Sequence, residues 1–371
     1  MRKDDVVDCG HTDVDWFVIE PTNPPNQGIP FVDHAGAGRS GHLGHALVEY
    51  TPGQILAFYP NCSAVSNGHN GDGWMEYKRS EDGGVTWSQP SVLEYSKQAY
   101  ESGAGRSVMC EKAVQAGDGT LVLFNLECGN VAEKNWGWAP LRVPTVLRST
   151  DDGHSWGPAT PMGDEPGRIW DALTHEGCVI VLELCNDSQI AWYGNLPEHH
   201  YALYVSTDQG RTFSRRSVLP FDSQGRGYGA MAILHDGSLI AYVYNIADEK
   251  HLDYAVSRDG GHTWSGVQAA FLAKQIRNPQ IAAFKGGFVL HGRSGNKGEK
   301  RAIGHFVLYT SQDGVHWDAG RYLSMRKAGW DAYSNNLLVH SPEAGAPERL
   351  LIQASRAYEL DKTNIYHWWL V

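Results

Sequence analysis

Residues 230–245, AMAILHDGSLIAYVYN, are two apolar runs joined by His235-Asp236-Gly237-Ser238. Two such runs around an Asp-Gly turn predict a β-hairpin. A third run, LDYAVS (252–257), follows, and then a polar phrase ending on an aromatic, SRDGGHTW (257–264), with a short strand after it. The order is the same near the N-terminus: HALVEY, a Pro-Gly turn, QILAFYP, WMEYKRS and then SEDGGVTW (80–87). The phrase recurs as STDDGHSW (149–156), STDQGRTF (206–213) and, one residue short, SQDGVHW (311–317). Its pattern is Ser-x-Asp-x-Gly-x-x-aromatic, and the starts at 80, 149, 206, 257 and 311 lie 51–69 residues apart.

A repeat of about fifty residues carrying four strands reads as a propeller blade. Residues 332–370 hold three more runs, NNLLVH, RLLIQAS and IYHWWLV, without the phrase. The early run DWFVIE (15–20) then supplies the strand that completes a sixth blade and closes the ring. The chain is therefore expected to be all-β, a six-bladed β-propeller. No Pro/Gly/Ser-rich linker or compositional break divides it, so residues 1–371 are read as a single domain.

The repeated phrase itself is expected to be structural. Its Asp accepts N–H bonds within a turn, its Gly takes a positive φ, and its aromatic packs between blades. The missing residue in the fifth copy predicts a tighter turn there.

Composition agrees with many short strands: 42 Gly, 17 Tyr and 13 Trp in 371 residues. The net charge of −11 argues against a nucleic-acid or anionic-membrane partner. No run of eighteen apolar residues occurs, so no spanning helix is expected. The opening MRKDDVVDCGHTDVDW has no apolar leader core. The reading is a cytoplasmic protein, or a secreted one from which a leader has been removed. None of the six Cys forms a CxxC pair. Neither a cofactor nor a metal is expected. No feature of the sequence addresses the oligomeric state.

In a propeller the inner strand of each blade lines the central funnel, so the residues that open it face a ligand. Those segments read Arg39-Ser-Gly-His42-Leu-Gly-His45, Arg106 through Glu111-Lys112, Arg168-Ile-Trp170-Asp171, Arg226-Gly-Tyr228, Arg277-Asn278-Pro-Gln280 and Trp330-Asp331-Ala-Tyr333-Ser-Asn335. Arg opens five of the six. A guanidinium fork suits a planar carboxylate, and about half of these Arg are expected to face the ligand while the others pair with acids between blades. His42, His45 and His69 all come from blade one and are expected to converge on one sector of the funnel.

The five phrases on a six-blade pattern resemble the Asp-boxes of the sialidase (neuraminidase) superfamily, over essentially the whole chain. That resemblance implies a glycoside hydrolase, exo-acting on a carboxylate-bearing sugar of an oligosaccharide or glycoconjugate. Ala332-Tyr333-Ser334-Asn335-Asn336-Leu337 is similar to the family's nucleophile phrase, with one extra residue, and implies Tyr333 as nucleophile. Gly286–Ser294 resembles a segment bearing one of the family's carboxylate-binding arginines and implies that role for Arg293, with Arg301 as a competitor. Asp72 is the match for the general acid. Two features depart from the family. The Arg-Ile-Pro phrase of blade one is missing, and no acid opens blade four where the base belongs. Glu111 and Glu183 are the strand-borne acids that would substitute.

The candidate catalytic residues are thus Tyr333, Asp72, His45 and Glu111. The candidate substrate-binding residues are Arg293, Arg106, Arg168, Arg226, Arg277, His42, His69, Asn278, Asp171 and Trp170. Two other readings stay open. One is a polysaccharide lyase cleaving uronate-containing glycans with His, Tyr and Arg. The other is a non-catalytic glycan-binding propeller using Trp74, Trp136, Trp138, Trp170, Trp192 and Trp330 as stacking surface. The insertions at 129–144 and 189–201 are expected to wall the pocket.

Overall fold

The computed structural model describes residues 19–20, 28–65, 69–103, 105–129, 141–188, 192–295, 304–326, 333–341, 343, 345–359 and 361–371. Its strands form six antiparallel sheets. The fourth, Arg226–Ile233, Leu239–Asn245, His251–Ser257 and Gln268–Phe271, contains the hairpin expected at 230–245, with Ala230 opposite Tyr242. The inner strands follow one another around an axis: Ala46–Thr51, Arg106–Gln115, Gly167–His175, Arg226–Ile233, Arg277–Phe284 and Ser334–Val339, which returns to Ala46–Thr51.

A blade lies between two neighbours, so both faces of its middle strands are covered. Leu239–Asn245 is accordingly buried at every residue, as expected for a continuous apolar run rather than an alternating one. The apolar core is divided to match, into six clusters, each spanning the gap between two consecutive blades.

Ring closure uses the N-terminal segment. Ile19 and Glu20 pair with Leu370 and Trp369, and Ile29–Val32 pairs with the same final strand, Lys362–Leu370. The second of these strands had no signal of its own, because Pro30 interrupts the run. Phe31 stacks on His367 at 3.9 Å and meets Trp87, the aromatic of the first box, edge-on at 4.9 Å. Gly28 sits at φ +76°, where a Cβ would lie 2.7 Å from Trp368.

The boxes behave as turn staples. In the third, Ser206 and Thr212 hydroxyls donate to the Asp208 carboxylate at 2.7 and 2.6 Å, the Thr212 N–H donates at 2.9 Å, and Gly210 has φ +74°. Box aromatics reach the preceding blade, as Trp156 does to Phe58 at 5.8 Å and Phe213 to Phe124 at 5.6 Å. In the shortened fifth box the glycine N–H bonds the serine three residues back instead of four.

The one described α-helix, Glu94–Glu101, was not expected. Its Ser96 hydroxyl accepts from Met75 N–H and donates to Val108 O, tying blade one to blade two. Among the described residues no helix is long and apolar enough to cross a membrane.

Candidate active site

Four inner strands are irregular at the same level. The pairing register shifts between Cys110 and Lys112, Ile169 and Asp171, Gly227 and Gly229, and Arg277 and Gln280. A bulge re-aims the extra residue. Here the extra positions include Glu111, Trp170, Tyr228 and Asn278, and all four line one axial cavity of about 30 Å3 with His45, Arg168 and Tyr333. Tyr228 and Asn278 hold positive φ angles of 42° and 50°, a conformation non-glycine residues adopt chiefly where surrounding structure enforces it.

Tyr333 opens the sixth inner strand. Its N–H donates to Ser355 Oγ and its carbonyl accepts from Ser355 N–H, which fixes the ring's origin. Its hydroxyl lies 3.2 Å from that of Tyr228 and 3.4 Å from His69 Nε2. The Arg293 guanidinium sits 5.0 Å over its ring. The His42 ring is 4.8 Å from Tyr333 and 4.0 Å from His69.

Burial by itself would raise the Tyr333 phenol. The charge of Arg293, the hydrogen bond from Tyr228 and the charges of Arg168 and Arg277 together hold it below its ordinary value. Tyr228 moves the other way, raised by burial and by the neighbouring Tyr333, so it stays protonated and donates. Burial, reinforced by Arg293, lowers His69 to about 3. Burial, with His69 and Arg293, also takes His42 well below its usual range. Both imidazoles are therefore neutral at pH 7.

Several buried polar atoms here have no hydrogen-bond partner: both ring nitrogens of His42, both amide atoms of Asn278, Trp170 Nε1 and Arg168 Nε. An unsatisfied buried group costs about 1–3 kcal/mol. Such a concentration of them around one tyrosine leaves donors and acceptors open to water or another polar partner.

Below this level the axis is plugged. Lys112 Nζ contacts Asp171 Oδ1 at 2.9 Å, Gln280 Oε1 at 2.6 Å and Asn335 Oδ1 at 2.7 Å. Beyond the plug a larger cavity of about 600 Å3 opens on the opposite face. Its rim carboxylate, Glu49, is bonded by His340, and its lining mixes aliphatic residues with polar ones such as Gln115 and Asn336 and the plug pair Lys112–Asp171.

The structure thus brings together Tyr333, His42, His69, Arg293, Arg168, Trp170, Glu111, Asn278 and His45. His45 lies deeper, with Nδ1 3.3 Å from the Gln353 amide, and burial lowers it to about 3. Glu111 is bonded by Arg168 at 2.9 Å, and its carboxyl is raised by burial.

Other expected residues are placed elsewhere. Asp72 is hydrogen-bonded by Tyr100, and its neighbour His69 is the residue of that loop that reaches the Tyr333 hydroxyl. Arg106 is held by Glu127 and Tyr95, and Arg226 by Asp253 within its own blade, so neither joins the cluster. Arg277 is paired with Glu249 but still adds charge beside Tyr333. Four of the five segment-opening arginines therefore carry an acid partner, but two of them, Arg168 and Arg277, pair between blades, about the half expected, while Arg106 and Arg226 pair within their own blades. Arg39, the fifth, bonds Asn61 and covers Trp74. Asp171 serves the plug rather than the site. Glu183 turns into the gap between blades two and three. Trp136, Trp138, Trp330, Arg301 and most of insertion 129–144 lie outside the described residues.

Tyr228 and Lys112 were the residues that the sequence did not single out. Tyr228 stands in the blade-four position where an acid was sought, and its signal was the Arg-Gly-Tyr opening itself. In the second insertion Trp192 stacks on Tyr228, with ring centroids 5.7 Å apart.

No family model matches the chain, and no curated protein matches it. Solved structures do. A protein of unknown function from Dyadobacter fermentans superposes with TM-score 0.68 at 16% identity, over 90% of this chain and 95% of that one. The NanB sialidase of Streptococcus pneumoniae superposes with TM-score 0.63 at 13% identity, over 92% and 70%. An α-L-arabinanase of Penicillium chrysogenum, complexed with arabinobiose, superposes with TM-score 0.52 at 13% identity, over 97% of both chains. The chain has the six-bladed fold of sialidase-like propellers, a fold shared with glycosidases.

Proposed function

We propose that this propeller is a glycosidase that hydrolyses a glycan at a carboxylate-bearing sugar, with Tyr333 as nucleophile. The observation that carries the reading is the Tyr333 hydroxyl held between Tyr228 and His69 under the Arg293 guanidinium. A phenol near its free pKa of about 10 is a weak nucleophile. Three arginines and the Tyr228 donor favour its anion. The Tyr333 oxygen attacks the anomeric carbon as the bond to the leaving oxygen breaks. The Tyr333 proton passes to His69, which returns it to the leaving oxygen. Water then cleaves the Tyr333–sugar bond; His69 takes its proton and returns it to the departing Tyr333 oxygen. Arg293 holds the sugar carboxylate, and His42, Asn278 and Trp170 offer their unpartnered polar atoms to hydroxyls.

A second reading is supported by the proton groups around Tyr333. Among the described residues the carboxylate lining the cavity, Glu111, is bound to Arg168, and Glu249 beyond it is bound to Arg277. A tyrosine held below its ordinary value beside neutral imidazoles also suits elimination: in its ionised form Tyr333 removes the proton α to a uronate carboxylate neutralised by Arg293. The β C–O bond then breaks, the leaving oxygen takes that proton, and a double bond remains.

Mass spectrometry of products from sialosides, uronate-terminated chains and neutral chains separates the two. Products that together gain one water support hydrolysis, and products that gain none support elimination. The Tyr333→Phe enzyme should lose about 10²–10⁴-fold in rate in either case. Cleavage of neutral chains alone, or undiminished activity of Tyr333→Phe, would overturn the proposal.

A further inference from the structure

A second cluster lies away from the funnel, in the gap between blades two and three. Glu165 precedes the inner strand of blade three, Cys185 ends the second strand and His200 begins the third. Cys185 and His200 face each other across the ladder, and Gly167 is paired opposite Cys185 on the other side. One ligand atom from each of Glu165, Cys185 and His200 lies within 4.8 Å of the others.

The imidazole is oriented for a ligand. His200 Nδ1 is 3.0 Å from the Glu198 carbonyl, which only accepts, so Nδ1 carries the proton. Nε2 therefore presents a lone pair, and it points at Glu165 Oε2, 3.6 Å away, without a hydrogen bond. A carboxylate facing that nitrogen is the arrangement that a second proton or a metal cation between them would complete. Backbone fixation of one ring nitrogen is the usual support of a metal-bound histidine. The other oxygen of Glu165 is held by Arg215.

An independent observation points the same way. Glu183, only 1% exposed, leaves Oε1 with no partner. That oxygen lies where a Cβ on Gly167 would stand, 2.2 Å from the ideal position, and so on the face of the sheet that carries Cys185. The Tyr204 hydroxyl beside them is also unpartnered.

We propose that Glu165, Cys185 and His200 bind a soft divalent cation of the zinc class. Thiolate, imidazole and carboxylate are zinc's ordinary donors, at about 2.0–2.3 Å, which sets donor atoms about 3.3–3.8 Å apart. The present spacing, up to 4.8 Å, contracts by about 1 Å in that geometry. The side chains of His200 and Glu165 are 24% and 31% exposed, which leaves a path for entry. Bound there, the ion ties the base of segment 186–199, which carries Trp192 toward Tyr228. This site is independent of the proposed glycosidase reaction.

The test is cobalt and zinc titration of the full chain. Wild type should retain one zinc per chain through gel filtration and, with Co²⁺, show a thiolate-to-metal charge-transfer band. Cys185→Ser should abolish the band, while Cys178→Ser, at the far end of the same strand, should keep it. His200→Gln and Glu165→Gln, both on partly exposed side chains, should each weaken zinc binding more than tenfold while folding normally. A wild-type protein that retains no zinc and shows no band overturns the site. So does a Cys185→Ser protein that binds as well as wild type. A second proton on His200 in place of a metal would give that first result.

Discussion

The hydroxyl of Tyr228 lies 3.2 Å from the hydroxyl of Tyr333, between the fourth and sixth blades, and the two phenols are pushed in opposite directions. Tyr228 keeps its proton and stabilises the Tyr333 anion. Replacing Tyr228 by Phe removes that donor, so the Tyr333 pKa rises and less phenolate is present at a given pH. The limb of the pH–rate profile on which activity rises with pH should move to higher pH. Activity at pH 7 should fall about 10–100-fold, the effect of losing one hydrogen bond to a charged group. Steady-state rates across pH on the wild type and variant check this.

Arg293→Lys keeps a positive charge near Tyr333 but loses the fork. A bidentate carboxylate contact depends on that fork. KM for a carboxylate-bearing substrate should rise about tenfold or more, and KM for its methyl ester should change little. An equal rise for both would show that Arg293 does not contact the carboxylate.

The box carboxylates make stability depend on acid pH. Asp208 is raised by its partial burial but lowered more by the hydroxyl and N–H of Thr212 and by Ser206, to about 2 in the fold; Asp151, held by Ser155 and Ser149, also falls to about 2. Their unfolded value is about 3.9. The stabilisation is therefore complete above about pH 4 and is lost as pH falls through about 2. Asp208→Ala should lose about 1–2 kcal/mol at pH 7, flatten the acid limb of Tm against pH, and leave kcat unchanged. Thermal melts from pH 2 to 7 measure this.

Lys112→Met removes the cation from the axial plug and leaves the buried Asp171 with its two backbone donors, the N–H groups of Ala172 and Met231. Breaking one side of a buried pair costs about 3–5 kcal/mol. Denaturant unfolding should show that loss. The double variant Lys112→Met/Asp171→Leu should recover part of it, because no charge then remains buried alone.

The sequence by itself determined the blade count, the hairpins and the staples. Each depends on contacts close along the chain: His235–Ser238 turns one hairpin, and Asp208 bonds residues within four positions of itself. Tyr333 and Arg293, singled out by local phrases resembling a known family, lie together at the axis. Only the tertiary structure decided which arginines are available. The partners of Arg106, Arg226 and Arg277 lie 21–28 residues away and carry no spacing signal. It likewise paired Asp72 with Tyr100 and His69 with Tyr333. The Tyr228–Tyr333 contact joins residues 105 positions apart, and a bulge, invisible in residue type, aims the first at the second. The donors Glu165, Cys185 and His200 meet only because strand pairing sets Cys185 against His200. Periodicity records what a residue's neighbours in sequence require, and the ring alone fixes which distant side chains share the axis.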